Sequence, residues 1–209
     1  ETLKKSVLSG LNSPTHIEFV YENGSLPEAL PGAAKKYKAD MVLMGTNGVS
    51  GSNSFRVGSN AYAVVEECPV PVMVVPPQAN FEGITKTVIA LDFKSDFDEL
   101  PLLALMKVLQ MTGGEVYVLS VLSSTAVNKP EAMMDVQKIS SVLKNNPHSF
   151  HYVYSDNIEK GIDDFCSLHY ADVIITFPKK HAWVKKMFNT TYTQNLVYHI
   201  KTPVIAIHE

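Results

Sequence analysis

A chain of 209 residues with 45% hydrophobic and 19% charged residues is long enough for one large domain or two small ones. Its formal net charge of -3 lacks the basic excess that a nucleic-acid partner usually demands, and no apolar run reaches the length of a membrane span, so neither partner is expected. Two cysteines, Cys68 and Cys166, are too few for a disulfide framework, and a reducing cytoplasm is the expected compartment.

The first element is a helix over Glu1 to Leu11, with Leu3, Val7, Leu8 and Leu11 on one side. His16 to Tyr21 alternates as a strand, and Glu22-Asn23-Gly24 turns the chain. The next helix spans about Leu26 to Lys38, but Pro31-Gly32 lies inside it, so a late start is expected. Met41 to Met44 is short, unbroken and apolar, as a strand buried on both faces would be. A glycine-rich loop follows, then a helix over Ala61 to Glu67 and a strand over Pro71 to Val75. Pro76 to Asn80 is the best linker candidate.

Beyond the linker, strands are predicted at Lys86 to Leu91, Glu115 to Val121, Ser149 to Tyr154, Asp172 to Thr176 and Pro203 to Ile207. Helices are predicted between them, near Phe97 to Met111, Pro130 to Lys144, Ile158 to His169 and Val184 to His199. Strand and helix alternate strictly, which argues a doubly wound, Rossmann-like parallel sheet.

Sliding the chain by 132 residues aligns its two parts without a gap. Leu11 meets Leu143, His16 meets His148, Ala39-Asp40 meets Ala171-Asp172, and Pro71-Val72 meets Pro203-Val204. Two tandem copies are therefore expected, at residues 1–79 and 80–209. The first is incomplete, because the counterpart of Lys86 to Val121 falls ahead of residue 1; a fragment of a longer tandem protein is the expectation.

The loop after Met44 has the pattern Gly-x2-Gly-x9-Gly-Ser, formed by Gly45, Gly48, Gly58 and Ser59, and a helix follows it directly. Glycines let a backbone approach an anion closely, and the free N–H groups of the helix's first turn point at whatever sits there. The same glycines can serve only to make a tight turn. This stretch, with Ala39-Asp40 before it and the strand Pro71 to Val75 after it, resembles the nucleotide-binding signature of the universal stress protein family. The resemblance implies strand order 3-2-1-4-5 in each copy, ATP as ligand with magnesium as a candidate companion, and a stress-response role. It places phosphate and ribose contacts on Gly45, Thr46, Gly48, Gly58, Ser59 and Asn60, and an adenosine contact on an aspartate ending the first strand, here Asp92. It also implies pairing of the copies through their fifth strands, Val72 to Val75 and Val204 to Ile207, and allows a homodimer.

The copies divide these features. At the 132-residue offset Gly45 becomes Phe177, Gly48 becomes Lys180, Gly58 becomes Thr190 and Ser59 becomes Thr191, so copy two is expected to be empty. Asp92 reads equally as a helix N-cap. Lys179, Lys180, His181, Lys185 and Lys186 read first as a solvated face, and second as an anion site. His148 and His151 point to opposite faces of a strand, and Cys166 with His169 offers only two ligands, so no metal site is expected. No catalytic constellation emerges, although weak ATP hydrolysis stays open. The alternative to a nucleotide-binding regulator is a scaffold of the same fold that dimerises or binds partners without nucleotide.

Overall fold

The computed structural model describes residues 16–45, 59–91, 101–122, 132–177 and 201–207. In chain order the elements are α1 (Leu26–Lys36), β1 (Val42–Gly45), α2 (Ser59–Glu67), β2 (Val72–Val75), β3 (Lys86–Ala90) and α3 (Leu102–Thr112). Then come β4 (Glu115–Leu122), α4 (Ala132–Val142), β5 (His148–Tyr154), α5 (Ile158–His169), β6 (Val173–Thr176) and β7 (Val204–Ala206). The helices expected at 1–11 and 184–199 lie outside the described residues.

All the strands join one seven-stranded sheet in the order β1-β2-β7-β6-β3-β4-β5. Reading β3 to β7 as first to fifth, β5-β4-β3-β6-β7 is the order 3-2-1-4-5, a doubly wound half with every internal neighbour parallel. Its central strands are apolar on both sides, since helices cover both faces. On one face Val74, Val88, Leu119 and Ile174 pack with Val64 of α2 and Phe165 of α5. On the other, Ile89, Val118 and Ile175 pack with Leu105 of α3 and Ile139 of α4.

Residues 132 apart occupy like positions. Val42 pairs with Val72 as Ile174 pairs with Val204, and the N–H of each leading residue donates 2.9 Å to a proline carbonyl, Pro71 or Pro203. The helices before them end alike. Lys38 and Tyr170 take the left-handed conformation at φ 50 and 54, and the next N–H, on Ala39 or Ala171, returns 2.9 Å to the carbonyl of Ala34 or Cys166.

The two halves meet at β2 and β7, the only antiparallel pair among the described strands. The register is Val72 to Ala206, Met73 to Ile205 and Val74 to Val204. Taking 132 from the second number of each pair gives 74, 73 and 72, so the seam is self-complementary about Met73 and Ile205, the pattern of a local twofold axis. Because α1 and α5 lie on one face, that axis is perpendicular to the sheet.

Two expectations are corrected. His16 to Tyr21 is not a strand; residues 16–23 have no regular structure, and Phe19, Val20 and Tyr21 are exposed. The difference lies in the described neighbours. Their counterparts at 148–153 form β5 only because β4 lies alongside, from Val116 against His148 to Leu122 against Tyr154; no described strand lies beside 16–21, and an isolated strand gains no ladder bonds. The second correction concerns Pro31. The helix starts at Leu26 with Pro27 in its first turn, and the Glu28 carboxylate accepts the Ser25 N–H at 3.1 Å. That capped start holds although Pro31 lies within the helix.

The halves also differ in one solvent contact. Leu43 of β1 is 67% exposed, whereas Ile175, at the same register position in β6, is fully buried under α3. Ile175→Ala should therefore cost about 3 kcal/mol in urea unfolding and Leu43→Ala less than about 0.5. Equal losses would show that Leu43 is covered.

Candidate functional site

The glycine loop runs between two described ends. Gly45 closes β1, in register with Val75 of β2, and Ser59 opens α2 with Asn60 exposed and Ala61 buried. Thr46, Gly48 and Gly58 lie outside the described residues. The first turn of α2 carries no acidic residue, so nothing on that turn competes with an anion for its free N–H groups. One turn further along, the Tyr62 hydroxyl donates to Glu66 Oε1, and that bond, with burial second, pushes its pKa up to about 12.

The equivalent strand end 132 residues on is Thr176, followed by Phe177. Phe177, which stands where Gly45 stands, is 1% exposed and packs in the core on the α3 face with Leu91 and Ile207. Its bulk goes into the core. Lys179, Lys180, His181, Lys185, Lys186, Thr190 and Thr191 lie outside the described residues, as does Asp92, although Leu91 before it is buried and donates its N–H to Leu119 at 2.9 Å.

Sheet polarity keeps the candidate residues apart. Because β2 and β7 are antiparallel, the carboxyl ends of β1 and β2 lie on the opposite edge of the sheet from those of β3, β6 and β7. Gly45 and Ser59 thus belong to one edge, and the end of β3 that precedes Asp92 to the other. Gly45 and the end of β3 therefore lie at opposite edges of the sheet.

At the amino end of β6, the Asp172 carboxylate accepts three hydrogen bonds, from Thr85 N–H at 2.7 Å, Thr85 Oγ1 at 2.9 Å and Lys86 N–H at 2.9 Å. Burial works to raise its pKa, but those bonds together with the Lys86 charge outweigh burial and hold the carboxyl below its ordinary range. This clasp fixes where β3 starts beside β6. Sequence reasoning found Asp172 only as a repeat of Asp40; the recurrence of Ala-Asp before both strands was the available signal.

A second polar group lies between β4, β5 and α5. The His151 ring meets Tyr117 edge-on at 5.3 Å, Phe165 at 5.0 Å and His169 at 5.5 Å, and Phe165 stacks on His169 at 4.1 Å. Ser149 Oγ and His151 Nε2 share a hydrogen bond of 2.8 Å, Tyr117 donates to Glu115 at 2.8 Å, and Lys86 Nζ donates to the His169 carbonyl at 3.2 Å. His148 faces the other way, against Ser140 and the Asn146 carbonyl. Among the described residues no group of three or more His, Cys, Asp or Glu side chains can hold a metal. Burial above all pushes the Cys166 thiol up to about 12, which keeps it protonated and a poor ligand.

Residues 11–76 match the model of the Universal stress protein family. No curated protein matches the chain. Among solved structures, a universal stress protein from Archaeoglobus fulgidus DSM 4304 is similar at 19% identity and TM-score 0.56, over 85% of this chain and 64% of its own. A putative universal stress protein from Pseudomonas aeruginosa UCBPP-PA14 is similar at 10% identity and TM-score 0.58, over 89% and 69%. The protein PA1789 of Pseudomonas aeruginosa PAO1, whose function is unknown, is similar at 9% identity and TM-score 0.60, over 99% and 75%. At these identities the likeness is one of fold, and the chain spans under two thirds of the Archaeoglobus protein's length. No helix among the described residues is long and apolar enough to cross a membrane.

Burial, then the charge of His169, holds the His151 imidazole below its ordinary 6.5, with Glu115 opposing. The folded protein therefore binds that proton more weakly than the unfolded chain. The stability tied to neutral His151 is complete above about pH 6.5 and is lost as pH falls through the lower folded value. Thermal melts should show Tm falling from pH 7.5 to 5.5, and His169→Phe, which removes one charge and keeps a ring, should shrink that fall.

Proposed function

We propose, on the premise that the chain belongs to the universal stress protein family through residues 11–76, that it is a regulatory protein of two tandem copies that binds an adenine nucleotide through copy one. The observation that carries this reading is the loop itself: Gly-x2-Gly-x9-Gly-Ser, strung between the end of β1 and the amino end of α2, inside the matched segment. Gly45, Thr46, Gly48, Gly58, Ser59 and Asn60 supply backbone N–H groups, and the Ser59 hydroxyl adds a hydrogen bond.

ATP is the ligand proposed, with magnesium held by its phosphates rather than by a protein cage, as that small, strongly hydrated ion prefers. Such binding acts as a signal. Hydrolysis needs a group that orients water, and none is identified among the candidate residues. The two copies are residues 1–79 and 80–209, joined at the β2–β7 seam in the manner of a dimer, within a cytoplasmic protein that can pair again with itself. Asp92 is the matching half of a site in copy two, where Phe177 replaces the first glycine and the site stays empty.

A second reading has an observation of its own. Gly45 and the strand end before Asp92 sit on opposite edges of the sheet, and a chain without a whole site serves as a scaffold. Isothermal calorimetry with ATP separates the two. The nucleotide reading expects saturable heat at one site per chain, loss of it in Gly58→Val, and affinity about tenfold weaker in Ser59→Ala, the loss of one hydrogen bond to a charged group. No heat from the unaltered protein hands the function to the scaffold reading.

A further inference from the structure

Four rings, from Tyr117, His151, Phe165 and His169, close the space between β4, β5 and α5. Tyr117 and Phe165 are 8% and 6% exposed, and both imidazoles are half-buried against them. His151 and His169 come from different elements, yet their ring centroids lie 5.5 Å apart, and each lies 5.3 Å from the Tyr117 ring. This contact seats the end of α5. His169 is the helix's final residue, Tyr170 caps it in the left-handed conformation, and Lys86 Nζ holds the His169 carbonyl at 3.2 Å.

Imidazole is the side chain whose ordinary titration falls near neutral pH. One proton in this ring group is accommodated. The Glu115 charge favours an imidazolium at His151, and Phe165, stacked at 4.1 Å, offers its ring face to one at His169. A second proton puts two cations 5.5 Å apart across a half-buried contact, with one carboxylate to share. The other titratable groups around the pair bring no relief. Lys86 of β3 is a further cation at the same helix end. The Asp172 carboxylate at the start of β6 is taken by Thr85 and Lys86. The Tyr117 hydroxyl donates to Glu115, and on α5 the Cys166 thiol, pushed up by burial and then by Asp163, stays protonated.

We propose that His151 and His169 form an acid-operated latch: with at most one of them charged, the last turn of α5 stays on β4 and β5, and with both charged that turn lifts and bares Tyr117 and the face of Phe165. The lift is local, because the start of α5 is held by contacts that do not titrate. Asn157 Oδ1 accepts the Lys160 N–H at 2.8 Å, and Ile162 is buried. Gly161 lies so near β4 that a Cβ there would meet Val121 Cγ1 at 2.9 Å. The latch stands on copy two alone and asks nothing of a nucleotide, so exchange data decide it and calorimetry decides the nucleotide reading.

Hydrogen exchange of the 209-residue protein, corrected for the intrinsic pH dependence of amides, tests it between about pH 7.5 and 5. The amides of 167–171 should open about tenfold more often for each pH unit lost, where opening takes up one proton. Those of Gly161, Ile162 and Val116 to Leu119 should keep their protection. His169→Phe should leave 167–171 indifferent to pH. Glu115→Gln should act in the opposite sense, since it keeps an acceptor for Tyr117 and removes the carboxylate charge: rates unchanged at about pH 7.5 and about threefold faster at about pH 5.5. A merely structural loss would speed exchange at both pH values. Rates at 167–171 that ignore pH in the unaltered protein, acceleration shared equally by α5 and β4, or slower exchange in Glu115→Gln overturns the proposal. Should His169→Phe fail to fold, the unaltered protein and Glu115→Gln decide it.

Discussion

The architecture depends on three residue pairs, Val72 to Val74 against Ala206 to Val204. Each strand is apolar throughout, and each would be an unprotected sheet edge if left alone. Pairing them removes both edges at once and joins two parallel blocks into one sheet. The antiparallel sense of this seam reverses strand polarity across the molecule. From that reversal follows the separation of the two strand-end regions, since ligands of such sheets gather at carboxyl ends.

Much of this was legible from periodicity alone. Uninterrupted apolar runs such as Val173-Ile174-Ile175 mark strands covered on both faces, and the 132-residue repeat made Val72 the equivalent of Val204 before any pairing was known. What failed was non-local. His16 to Tyr21 carries as good a strand pattern as Ser149 to Tyr154, yet a strand is completed by its neighbour, and the pattern says nothing about whether the neighbour is there. Pro31 misled in the opposite sense, because a local rule about one missing N–H was overridden by the cap at Ser25 and Glu28 and by the burial of Ala34.

The candidate site was legible as a loop and not as a place. Spacing gave Gly45 and Ser59 as the two ends of one feature, and the fold puts them at a strand end and a helix start. That the strand end before Asp92 lies on the other edge depends on the sheet polarity, which rests on the seam and on no residue near either end. The clasp at Asp172 and the ring group around His151 escaped for a related reason. Their members come from residues 85 to 172 and from 115 to 169, so no window of sequence holds either set.

The chain that crosses between β2 and β3 is short, and its turn is closed by Ala79 N–H on the Pro76 carbonyl at 3.0 Å. A tether of this length makes the meeting of β2 with β7 an intramolecular event, at an effective concentration of order millimolar. A seam of three pairs between free subunits would come apart on dilution. Here dilution has no purchase on it, so the joined sheet is independent of how much of the protein a cell contains.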